Sequence, residues 1–111
     1  MNSEAFCDWL APLSVPERIR ALALIYSSLT VGTRELFLPD ALKGKEQIGL
    51  HMLHGFNEIH HTLANWLVAY TTDERKALPV RVLSQQLLEI ANQYRITGFL
   101  ASAVEFAQTR S

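Results

Sequence analysis

The residues best equipped for chemistry lie in one stretch, Leu50-His51-Met52-Leu53-His54-Gly55-Phe56-Asn57-Glu58-Ile59-His60-His61. All four histidines of the chain fall inside it. At about 100° per residue on a helix, His51, His54, Glu58 and His61 share an arc of roughly 80°, opposite the apolar stripe of the same helix. Imidazole and carboxylate groups bind zinc and iron well. His51 and His54, and again Glu58 and His61, stand three positions apart, a spacing that brings side chains together on a helix. His51, His54, Glu58 and His61 are therefore the candidate metal ligands, with zinc or iron as the ion. Two other readings fit the same residues. A face turned away from an apolar stripe must be polar, and histidine serves there as a solvated side chain. The face could also form a polar seam between subunits, sensitive to protons because imidazole titrates near physiological pH. The solvated face is the first reading, with no cofactor; zinc or iron belongs to the alternative.

Glu58-Ile59-His60-His61 contains the Glu-x-x-His element of di-iron carboxylate bundles, in which two such helices face each other. No other glutamate of this chain has histidine three residues later. A complete site of that kind would need a second copy across a two-fold axis. Over a short stretch, Asn57-Glu58-Ile59-His60-His61 also resembles the last helix of DinB-like metal-dependent bundles, which would imply a metal site on this helix. Asn57 stands where that pattern has a metal histidine, so no membership follows. Other chemistry has less support. Ser27, Ser28, Ser84 and Ser102 lie inside helical patterns, not on a strand-to-helix elbow. The glycines are dispersed and form no phosphate loop. Asp73 and Glu74 read as a solvated cap, and Cys7 as a small packed hydrophobe. No catalytic residue is nominated, and whether the protein is an enzyme stays open.

Such a face needs a scaffold, and the chain has the means to build one. Its 111 residues fit one domain spanning 1–111 with its own core. It is 49% hydrophobic and 19% charged, a globular composition. A net charge of −1, with scattered basic residues, gives no field to attract nucleic acid or an anionic membrane. The single cysteine excludes an intramolecular disulfide and suits a reducing compartment. No apolar run approaches the ~20 residues a membrane helix needs, and the first residues lack the pattern of a signal peptide. The expectation is a soluble cytoplasmic protein.

Helical periodicity runs along the chain. A short helix is expected over 3–10, interrupted by Pro12. Ser14 and Glu17 form a capping box, with Pro16 in the first turn, so a long helix starts there and stops before Pro39. Its core stripe is Ile19, Leu22, Ile25, Tyr26, Leu29, Leu36 and Phe37. A second stripe, Leu24, Val31 and Leu38, recurs every seven residues on another side. One buried face would not require it, so this stripe is the candidate interface. Residues 38–45 read as a loop. A second long helix covers about 45–70, with Ile48, Met52, Phe56, Ile59, Leu63, Trp66, Leu67 and Tyr70 inward. Thr71-Thr72-Asp73-Glu74 repeats the capping-box pattern before Pro79. A third helix carries Val80, Leu83, Leu87, Ile90, Ala91 and Tyr94. The last stripe, Ile96, Phe99, Leu100, Ala103, Phe106 and Ala107, is out of phase with it, so either the chain breaks between Tyr94 and Gly98, the favoured reading, with Thr97-Gly98 as the place, or one long helix packs on opposite sides in its two halves.

The fold class read from these elements is all-α: a compact antiparallel bundle of about four main helices plus a short N-terminal helix. The second stripe on the first long helix points to a homodimer. The functional expectation is a small non-enzymatic interaction or regulatory module acting through protein–protein contacts. The alternative is a metal-binding bundle, with a metal-dependent enzyme among its forms, using the histidine/glutamate face.

Overall fold

Two local devices start the first helices. The Asn2 side chain accepts a bond from the Ala5 N–H at 2.8 Å and opens α1, Ser3–Leu10. At the next start, the Glu17 carboxylate accepts from the Ser14 N–H at 3.3 Å and from its hydroxyl at 2.6 Å, while the Glu17 N–H reaches the Ser14 hydroxyl at 3.4 Å. This is the expected capping box, and α2, Val15–Leu36, follows it. The computed structural model describes residues 1–36 and 46–110, apart from the side chains at 32–36, 46–48 and 74. Beyond α2 come α3 (Glu46–Thr72), a 3-10 turn (Glu74–Lys76), α4 (Val80–Gln93) and α5 (Thr97–Arg110). The architecture is all-α, with no strand among the described residues.

Helix α2 is sandwiched between α3 and α5, α1 lies on α4, and α3 also packs on α4 and on the 3-10 turn. Pairing of Arg18 with Tyr70 and of Tyr26 with His60 shows that α2 and α3 run antiparallel. His51 beside Tyr94, with Trp66 beside Leu78, shows the same for α3 and α4. The radius of gyration is 14.1 Å, close to the ~13 Å of a compact chain this long.

One contiguous core draws on every helix: Phe6 and Leu10 from α1, Leu22, Ile25 and Leu29 from α2, Phe56, Ile59 and Leu63 from α3, Leu83 and Leu87 from α4, Leu100 and Ala103 from α5. Phe56 meets Phe99 edge to face at 5.2 Å, joining α3 to α5. Ile19, Met52, Leu67, Val80, Ile90, Tyr94 and Phe99 are half-buried at its margin. Tyr26 departs from the expected core: it is 38% exposed and its ring leans on His60 instead. The expected contributions of Leu36, Phe37 and Ile48 lie outside the described side chains.

The chain does break between the third and fourth main helices, but glycine does not make the break. The Ile96 N–H reaches the Ala91 carbonyl at 2.9 Å, and the Arg95 N–H reaches Asn92 at 3.4 Å. These are the two bonds of a Schellman motif, which needs a left-handed residue between them. Arg95 supplies it at φ 58°, while Gly98 sits inside α5 with open space around it. The second expected capping box also differs. Helix α3 continues through Thr72, and the Thr71 and Thr72 hydroxyls donate back to carbonyls one turn earlier, at 2.8 Å each. Asp73 takes the capping role, accepting from the Arg75 N–H at 3.1 Å.

Candidate functional site

Helix α3 carries the histidine/glutamate face on its outer side. His51, His54, Glu58 and His61 are all exposed, as their phase opposite Phe56, Ile59 and Leu63 requires. They are not equivalent. His51 packs its ring against Tyr94 at 4.9 Å, with Nε2 3.4 Å from the Gln93 carbonyl. Glu58 accepts a 2.7 Å bond from the Tyr94 hydroxyl. That bond to the carboxylate holds the phenol pKa above its ordinary value, with burial adding to the effect. His51 and Glu58 thus grip the C-terminal end of α4. Gly55 lets it come close, because a Cβ there would collide with the Cβ of Tyr94. His54, Glu58 and His61 border a shallow surface depression with Asn57 and Thr62. Among the described residues no three His, Cys, Asp or Glu side chains gather so as to hold a metal ion. The four candidate ligands share a face without converging on a point.

His60, the fourth histidine, points the other way. It is half-buried with its ring 4.5 Å from that of Tyr26, and its Nε2 is buried with no hydrogen-bond partner among the described residues. Burial lowers its pKa from the usual 6.5, against a smaller opposing effect of the Tyr26 backbone. The sequence carried the signal: His60 is four residues from Phe56 and three from Leu63, on the apolar side.

The candidate interface stripe divides. Leu24 is half-buried against the core, Val31 is 55% exposed, and Leu38 lies outside the described residues. Val31 borders an open groove of about 420 Å³ between α2 and α5, lined also by Ser27, Ser28, Leu29, Phe99, Ser102 and Phe106. At one end of α5 the Arg110 guanidinium lies 4.3 Å from the Phe106 ring centroid, and its carbonyl accepts from Arg20 at 3.4 Å. Packing within one chain thus accounts for Leu24 but leaves Val31 largely exposed.

Sequence reasoning passed over Arg18. Its guanidinium donates to the carbonyls of Leu10 (3.2 Å), Ala11 (2.7 Å) and Leu13 (3.2 Å) and to the Tyr70 hydroxyl (3.0 Å). It ties the end of α1 and the following turn to α2 and α3. A cation four residues before Leu22 and seven before Ile25, on their face, was the available sign.

No helix among the described residues is long and apolar enough to cross a membrane. No protein-family model matches the chain, and neither a curated protein nor a solved structure matches it.

Proposed function

We propose that the protein is a non-enzymatic interaction module that works as a homodimer, with the α2–α5 groove as its contact face. The observation that carries this reading is Val31, an apolar side chain left 55% exposed beside the half-buried rings of Phe99 and Phe106. Full burial of such a side chain contributes about 1.5–3 kcal/mol and part of that remains to be gained at Val31, so it favours a contact to which the rest of the groove must also contribute. Sedimentation equilibrium of the wild type and of Val31→Glu tests the reading. The expected result is a dimer for the wild type and a folded monomer for the variant. A wild-type monomer at all concentrations measured, or a variant dimer as tight as the wild type, would overturn it.

A second reading keeps the outer face of α3: a bundle that binds zinc or iron through His51, His54, Glu58 and His61, completed by a second copy. It is favoured by the shallow depression that His54, Glu58 and His61 border together. Elemental analysis of untagged protein, purified without added metal, is the test. Near-stoichiometric zinc or iron supports this reading, and failure to take up micromolar zinc removes it.

A further inference from the structure

We draw no further inference here: the strongest candidate, the open groove between α2 and α5 bordered by Val31, Phe99 and Phe106, belongs to the contact face already proposed, and nothing in the structure shows what other molecule would cover it.

Discussion

Arg18 brings a positive charge into a half-buried position, and no carboxylate is paired with it among the described residues. Its charge is met by carbonyls at the end of α1, where the helix dipole and the unpaired C=O groups favour a cation. Arg18→Met keeps the apolar stem and removes every one of these bonds. Hydrogen bonds to charged groups contribute about 1.5–3 kcal/mol, so a loss in that range is expected in urea melts. A loss under about 0.5 kcal/mol would mean that water replaces Arg18 without cost. His60 raises a question of sign. Its folded pKa lies below the unfolded 6.5, so the unfolded chain binds the proton more readily. The stabilisation is complete above pH 6.5 and is lost as pH falls through the depressed folded value. Melts at pH 7.5 and 5.5 should show the wild type less stable at the lower pH, with a smaller difference in His60→Gln. An equal slope in both proteins would place its origin elsewhere.

Among the elements, the junction of α4 and α5 is the most informative. An L-residue in the left-handed region costs about 1–2 kcal/mol, and Arg95 sits there at φ 58°. Glycine adopts that conformation without the Cβ clash, although it loses more freedom on folding. Arg95→Gly should therefore raise stability by roughly 1 kcal/mol, read as a higher urea midpoint at unchanged slope. A fall in the midpoint would show that the arginine side chain contributes more than its backbone costs. The out-of-phase stripes marked this stretch, because an unbroken helix would carry the second stripe on the side opposite the first; a break and a long helix packed on opposite sides both satisfy that pattern, and the fold takes the break. Which residue takes the turn was not legible. Gly98 looked the natural breaker, but the Schellman bonds depend on where Ile96 is buried, and Ile96 is fully enclosed.

Across the whole molecule, the proposed dimer would make a demand on α2 that is separable from folding. Leu22, Ile25 and Leu29 are buried within one chain, whereas Val31 is largely exposed there. Val31→Glu should thus leave the unfolding free energy of the monomer within about 0.5 kcal/mol, the usual range for a surface change. Measured at low and high protein concentration, the wild type should gain stability with concentration and the variant should not. If the variant is destabilised equally at both concentrations, Val31 serves the fold of the single chain instead of a subunit contact.

The amino-acid sequence alone determined the helical segments, the capping box at Ser14 and Glu17, most of the inward-facing positions and the change of phase after Tyr94. These follow from side chains a few positions apart, whose relations are set by the 3.6-residue period and by orphan backbone groups at helix ends. The placement of His51, His54, Glu58 and His61 on one face opposite the apolar stripe belongs with them, since it follows from the same period. Only tertiary structure decided that Glu58 meets Tyr94, that Arg18 meets Tyr70, and that Tyr26 turns to His60 at the edge of the core. It also decided that α5 flanks α2 beside the second apolar stripe. Those partners lie tens of residues apart, and periodicity carries no information about which face of one helix another will choose. That choice rests on the fit of whole surfaces: the close approach allowed at Gly55, the interlocking of Phe56 with Phe99, and the area each helix removes from water.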